Sequence, residues 1–339
     1  MKVFVTGATG LLGNNVVRAL RARGDEVVGL VRSREKGERM LGDTGARRVV
    51  GDVRESAAFA AELGSCDAVV HTAAYFREYY QPGDHAQLLE DVNVRATLEL
   101  LALADGAGVS RFVHTSSSGT VGPKADGSAG DEDSAPPPIA RENLYFKSKV
   151  DGDAKIRAFV PRSGMKVIEI LPGWMWGPGD AGPTSAGQVA LDFLRRKLPG
   201  IPPGGASVVD ARDVADAMLA ALDRAEHGAR YLVAGRAMTL AEVFAELERA
   251  SGVRAPAMRI PYWLAMTVAT WNEAVTSITG RPSTVTKSGV RALSAPRVLS
   301  SARAERELGA RFRPFAETAR DVVAWYRAND LPTGSPTPT

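Results

Sequence analysis

The chain of 339 residues has one cysteine, Cys66, so no internal disulfide can form and a reducing compartment is the expected setting. Charge of one sign is also scarce. Forty-two basic against 39 acidic residues leave +3, too little over this length for overall charge to select nucleic acid or an acidic membrane. Long apolar runs are missing. The nearest, Ile260 through Trp271, is ended by Asn272 and Glu273, well short of a bilayer span. At the start, Lys2 is followed at once by Val3-Phe4-Val5 and a glycine turn, which is not a targeting pattern; a cytoplasmic protein without a membrane span is expected. Four histidines and one cysteine show no metal-ligand spacing, so no metal is expected, and no internal repeat is visible.

What is present is an ordinary globular composition, 45% hydrophobic and 24% charged, on a length that suits one large α/β domain with a smaller lobe. Short β-branched runs at 2–6, 26–31, 47–50, 68–71, 111–115 and 166–171 alternate with helical patterns near 12–23, 55–63, 87–107 and 144–160. That alternation predicts βαβ units and a doubly wound parallel sheet. Residues 125–138, rich in Gly, Ser, Asp and Pro, read as a surface loop. Further helices are expected near 211–224 and 239–250. The division expected is a nucleotide-binding domain over 1–173, with 206–235 returning to its sheet, a smaller C-terminal substrate lobe from 174–205 and 236–330, and a disordered tail over 331–339.

The first strand runs into Thr6-Gly7-Ala8-Thr9-Gly10-Leu11-Leu12-Gly13. Three glycines spaced three apart between a strand and a helix form the Rossmann-type fingerprint. Gly7 permits the turn, Gly10 admits a pyrophosphate and Gly13 lets the helix approach the strand. The helix N-terminus supplies free N–H groups and a positive dipole for the phosphates. The second strand ends Val31-Arg32-Ser33-Arg34, with Val31 where an NAD site carries an acid and Arg32 offering a fork for a phosphate, helped by Arg34 or Lys36. NADP(H) is therefore expected as cofactor ahead of NAD(H). Asp52 and Val53 end the third strand, where a carboxylate can accept from the adenine amino group. Thr72, Ala73 and Ala74 follow His71 at the end of the fourth strand, where small residues let backbone lie along a cofactor.

Taken in order, Thr6–Gly13, Asp52-Val53, His71–Ala74, Asn93-Val94, Thr115-Ser116-Ser117, Tyr145-Phe146-Lys147-Ser148-Lys149, Leu171-Pro172-Gly173 and Asp210–Ala215 resemble the extended short-chain dehydrogenases/reductases of the NAD-dependent epimerase/dehydratase family. The resemblance covers residues 1 to about 328 and is nearest to the dihydroflavonol-reductase-like branch and the hopanoid-associated sugar epimerases. It implies a cofactor wall that includes Thr115 and passes Pro172, Gly173 and Trp174 beside the nicotinamide. It also implies Lys149 on the ribose, Ser117 on the substrate oxygen with Ser116 and Ser118 as neighbouring registers, and Asn93 holding a water near the lysine. A homodimer through the helices at 87–107 and 144–160 is implied as well.

Tyr145 and Lys149 lie four apart on one helix face. A phenol titrating near pH 10 needs a nearby ammonium to work as an acid or base at neutral pH, and Lys149 provides it. His71 and His114 belong to strands, where packing or hydrogen bonding is their expected role. Ser117 is followed by Ser118-Gly119 and not by the Asp-Glu pair of sugar-nucleotide dehydratases, and Ala206 stands where UDP-sugar epimerases place an arginine. Tyr75, Phe76, Tyr79 and Tyr80 after the fourth strand, with Ser118, Trp174 and Trp176, suggest a pocket for an apolar or aromatic ligand; Tyr262 and Trp263 open the lobe's apolar helix. The expected activity is NADPH-dependent reduction of a lipophilic or aromatic ketone or aldehyde. The alternatives are a sugar or sugar-nucleotide epimerase with tightly bound NAD(P) and a non-catalytic NADP-binding sensor.

Overall fold

In the computed structural model, residues 1–76, 85–279, 287–294 and 298–329 are described. The strands are β1 (Lys2–Thr6), β2 (Glu26–Val31), β3 (Arg47–Val50), β4 (Ala68–His71), β5 (Arg111–Thr115), β6 (Lys166–Pro172), β7 (Trp174–Trp176), β8 (Gly205–Asp210), β9 (Arg230–Val233) and β10 (Arg236–Thr239). Seven of them form one parallel sheet in the order β3-β2-β1-β4-β5-β6-β9. The order reverses between β1 and β4, which opens a crevice at the carboxyl ends of the strands, where doubly wound sheets bind ligands.

The helices are α1 (Leu11–Arg23), α2 (Arg34–Leu41), α3 (Ala60–Gly64), α4 (Ala86–Leu89), α5 (Ala96–Gly106), α6 (Ile139–Glu142), α7 (Leu144–Phe159), α8 (Ser185–Leu194), α9 (Ala211–Arg224), α10 (Leu240–Ser251), α11 (Tyr262–Thr279), α12 (Lys287–Ser294) and α13 (Phe315–Ala328). Side chains alternate across each strand, so β1 serves both faces of the sheet. Val3 and Val5 pack with Val16, Val17 and Leu20 of α1 and with Val214, Met218 and Leu222 of α9. Phe4 points the other way, onto Phe59, Leu100, Leu101 and Ile156. Each such fully buried apolar side chain contributes roughly 1.5–3 kcal/mol. A separate core of Trp176, Phe193, Phe244, Leu247, Val322 and Tyr326 belongs to the lobe.

Three local expectations change. The span 55–63 is a 3₁₀ segment, Val53–Phe59, leading into α3. The long helix near 87–107 is interrupted by a π-helical turn at Glu90–Arg95. The run 125–138 is not wholly a surface loop. Gly130 pairs with Leu299, and Glu132, 3% exposed, accepts the Leu232 N–H at 2.7 Å, so the segment closes the β9 edge of the sheet. Within 206–235, α9 and β9 lie on and in the large sheet, whereas β8 pairs with β7 and β10. The reason sits at Gly173, where β7 leaves the sheet: a Cβ there would lie 2.6 Å from Ser207 O and 2.4 Å from Ala234 O, so only glycine admits the crossing. The tail at 331–339 and the aromatics Tyr79 and Tyr80 lie outside the described residues.

Candidate active site

The turn between β1 and α1 is built around backbone, not side chains. Gly7 takes φ +64°, and its carbonyl accepts the Gly10 N–H at 2.8 Å. A Cβ on Gly13 would stand 2.2 Å from that same carbonyl, so helix and turn touch at that point. Gly10 differs: a Cβ there meets only the Gly7 carbonyl, at 3.2 Å, and otherwise faces open space. Gly10 also caps α1 without any side-chain acceptor, and the first turn carries no acid. Unclaimed N–H groups with no competing anion are what a pyrophosphate requires, so the donor set fits a dinucleotide. Leu11 and Leu12 are buried and offer only their N–H groups, while Thr9 is half-buried on the turn. Thr6 is fully buried, its hydroxyl taken by His71 Nδ1 at 2.7 Å and by the Ala73 N–H at 3.3 Å. Thr72 donates to Thr6 O at 2.7 Å, which pins the β4 loop, Ala74 included, beside the glycine turn.

At the end of β2, Val31 is 2% exposed and lies under Gly37 in the core, and Arg32 beside it is exposed. Val53 likewise is core. Asp52 is gripped by Arg54 through Nε at 3.0 Å and a second guanidinium nitrogen at 2.9 Å. That grip, with a smaller pull from Arg32, holds its carboxyl below the usual range. Arg54 went unnoticed in the sequence, although a basic residue two after an N-capping Asp can always fold back on it.

Lys149 is 2% exposed and donates to Thr115 O at 2.9 Å. Burial draws its pKa down to about 8, and Asp153 one turn further along α7 opposes the fall. Tyr145 precedes Lys149 by one turn, and Phe76 packs edge-on against it with centroids 4.7 Å apart. The π-helical turn carries Asn93, 1% exposed, whose carboxamide accepts the Tyr75 N–H (2.7 Å) and donates to Tyr75 O (3.1 Å) and Ser148 Oγ (3.0 Å). Those three bonds make Asn93 a clamp between the β4 loop and α7; none of them runs to Lys149. Tyr75 is held further by a 2.7 Å contact from its hydroxyl to His85 Nδ1.

Among the three serines, Ser116 faces inward, 2% exposed, and donates to Asp153 Oδ2 at 2.6 Å. Ser117 and Ser118 are half-buried at the start of a 3₁₀ turn, Ser117 Oγ accepting the Gly119 N–H at 3.0 Å. That turn abuts α7, for a Cβ on Gly119 would strike the Phe146 ring. Pro172 and Gly173 end β6. Trp174 is half-buried, donating to Ser185 Oγ at 3.1 Å. Trp176, 1% exposed, packs against Phe315 inside the lobe core.

Behind Lys149 lies a charged layer that the sequence reading missed. Asp153 and Glu169 are buried around Arg230, which sits 3.4 Å from Asp153 and 3.6 Å from Glu169 and donates to Glu132 O at 2.8 Å. The i+4 step from Lys149 to Asp153 was the one legible clue. Burial, then the neighbouring Asp153 charge, pushes Glu169 up to about 8. Because the unfolded chain releases that proton near pH ~4.3, the folded state holds more protons in between, and stability should fall as pH rises from about 5 to 8. Glu169→Gln should flatten that slope by a few degrees in melting temperature, measured by calorimetry across the window; an unchanged slope would discard the assignment. His71, buried beside Lys149, is lowered to about 3, and His114 falls well below its ordinary value through burial, then Lys149 and the neighbouring His71. Neither can carry a proton at neutral pH. They stack at 5.5 Å as neutral rings.

With this geometry in place, a doubly wound nucleotide-binding enzyme fold is defined. The model of the NAD dependent epimerase/dehydratase family matches residues 3–234, and the chain belongs to that family. It is 33% identical over 333 residues to "Sterol demethylase protein B" of Methylococcus capsulatus, covering 98% of this chain and all of that protein. It is 28% identical to a farnesyl-dihydroquinoline-oxide ketoreductase of Stigmatella aurantiaca, across 81% of this chain and 80% of the relative. A solved nucleoside-diphosphate-sugar epimerase from Pseudomonas aeruginosa superposes with a TM-score of 0.80 at 22% identity, over 98% of this chain and 99% of that one, a likeness of fold. The family binds a nicotinamide dinucleotide, in keeping with the bare α1 N-terminus.

Proposed function

We propose that the protein is an NADPH-dependent carbonyl reductase for a lipophilic or aromatic ketone or aldehyde. The observation that carries this reading is the aromatic wall beside the candidate acid: Phe76 packs on Tyr145, and Asn93 holds the Tyr75 backbone in place. An apolar wall suits a ligand whose binding comes from burial, with few polar groups to fix its orientation. Ala206, where a UDP-sugar site would need an arginine, lies in β8 paired to Met238, so no guanidinium reaches a diphosphate from that position. The ketoreductase name of a relative points the same way.

When bound, the reduced nicotinamide supplies a hydride to the carbonyl carbon. In this reading Tyr145 delivers the proton to the carbonyl oxygen, and Ser117 donates a hydrogen bond to the same oxygen. Lys149, an ammonium below about pH 8, electrostatically supports the tyrosinate left behind and presents its remaining N–H groups to the cofactor ribose. Pro172, Gly173 and Trp174 wall the nicotinamide side. The test is NADPH oxidation over a panel of aromatic and polycyclic ketones; turnover of UDP-sugars with no ketone reduced would favour the epimerase alternative.

Arg32, helped by Arg34 or Lys36, makes the phosphate-recognition end. Arg32→Ala should reduce NADPH affinity by about ten- to a hundredfold, the worth of a charge-assisted contact of roughly 1.5–3 kcal/mol, and leave NADH affinity nearly unchanged. Fluorescence titration of both cofactors reads this. Wild-type protein that binds NADH as tightly as NADPH would remove the preference altogether.

A further inference from the structure

Helix α11 buries two alanines and leaves its two tryptophans exposed. Ala265 and Ala269 pack with Val290 of α12, Met266 and Ile260 beside them. Trp263 and Trp271 stand 67% and 72% exposed, accompanied by Tyr262, Val268 and Val275. Trp263, Thr267, Trp271 and Val275 follow steps of four along one stripe, apolar but for the threonine. The one charged residue of this helix, Glu273, is paired to Lys287 at 3.0 Å. A surface helix in a globular protein has the reverse arrangement, and a contiguous exposed apolar face of this kind marks a contact site.

The charge beside that face is basic. The Ile201 N–H donates to Met258 O at 2.8 Å, and the Ile260 N–H returns to Ile201 O at 2.9 Å, so the run 195–201 is stitched to the entry of α11. That run carries Arg195, Arg196 and Lys197. Arg196 and Arg254 together line a cleft of about 230 Å³ with Phe193, Leu198 and Pro256, and Arg259 is exposed just before the helix. Asp192 and Glu248 lie in the same stretches, and against them Arg195, Arg196, Lys197, Arg254 and Arg259 leave a local excess of positive charge. The whole-chain charge of +3 hides this local concentration.

We propose that α11 and the adjoining basic run seat the protein on the surface of an anionic lipid bilayer. Tryptophans at the headgroup level and arginines against acidic lipid are the two attractions such a surface offers. Among the described residues no helix is long and apolar enough to cross a membrane, so the seating is peripheral. A second copy of the chain is the less suitable occupant, because a two-fold contact through this face would bring like-charged runs together. The proposal rests on this surface alone and stands apart from the substrate assignment.

The experiment floats the full-length protein with vesicles of phosphatidylcholine, with and without phosphatidylglycerol, while following tryptophan emission. Wild type should float with the mixed vesicles and shift its emission to the blue. W263Q/W271Q and R196E/R254E should each lower the bound fraction at least about tenfold, as should high salt, since burial and charge both drive interfacial binding. Both variants should keep wild-type NADPH affinity, which reports an intact fold. Absence of wild-type flotation, or equal flotation of W263Q/W271Q, would overturn the proposal. So would a dimer that W263Q/W271Q splits in sedimentation velocity without any vesicle binding.

Discussion

Tyr145→Phe is expected to lower carbonyl turnover by about 10² to 10⁴ while leaving NADPH affinity near wild type, the usual scale for one positioned acid. The substitution removes a hydroxyl and keeps the ring, so the edge-on packing with Phe76 and the 8% exposure of this side chain are preserved. Lys149→Met should damage both properties, because that ammonium is assigned to the ribose and to the tyrosine. It should not simply unfold the protein. The lysine is already buried with a depressed pKa, and an apolar side chain of similar length removes a desolvated charge. The Thr115 carbonyl loses its donor and the buried Asp153 carboxyl loses one of its opposite charges, Arg230 staying in place. The measurement is paired, fluorescence for affinity and absorbance at the reduced nicotinamide for turnover. A Tyr145→Phe enzyme as fast as wild type would show that another group is the acid, and the site assignment would fall with it.

Gly10→Val should abolish cofactor binding, a loss of at least about a hundredfold, with the melting temperature of the unliganded protein within a few degrees of wild type. The contrast with Gly13 makes this informative. At Gly10 the backbone angles are ordinary, φ −82° and ψ 171°, and a Cβ meets only the Gly7 carbonyl at 3.2 Å. At Gly13 a Cβ would be driven into that carbonyl at 2.2 Å and into Thr72 at 2.8 Å. Gly13→Ala should therefore destabilise the fold itself, whereas Gly10→Val leaves the fold and fills the space kept for the pyrophosphate. Retained NADPH binding by Gly10→Val would place the phosphates elsewhere.

Much of the site was legible before the fold was known because its signals are local. The six leading strands announce themselves by β-branched runs, and the glycine spacing needs only its own strand and helix. The Tyr145–Lys149 step is set by the helical repeat. Reading failed where a residue's role depends on partners distant in sequence. Nothing near Asn93 in the sequence shows that it fastens Tyr75 to α7, 18 and 55 positions away. Ser116, the register next to the chosen Ser117, turns inward because its hydroxyl donates to Asp153, 37 positions on. Glu132, in a stretch with a loop's composition, is buried because it accepts a strand-edge N–H 100 residues later.

By itself, then, the sequence determined the parallel α/β architecture, the dinucleotide turn and the shared face of Tyr145 and Lys149, since period, propensity and glycine sterics act over a few residues. Only the tertiary structure decided which tryptophans are core and which are surface, Trp176 at 1% exposed and Trp271 at 72%, although both are equally apolar in the sequence. It alone gathered Asp153, Glu169, Arg230 and Glu132 behind the lysine. The physical reason is the same in each case: burial and charge pairing depend on which elements meet across the sheet, and such meetings leave no periodic trace along the chain.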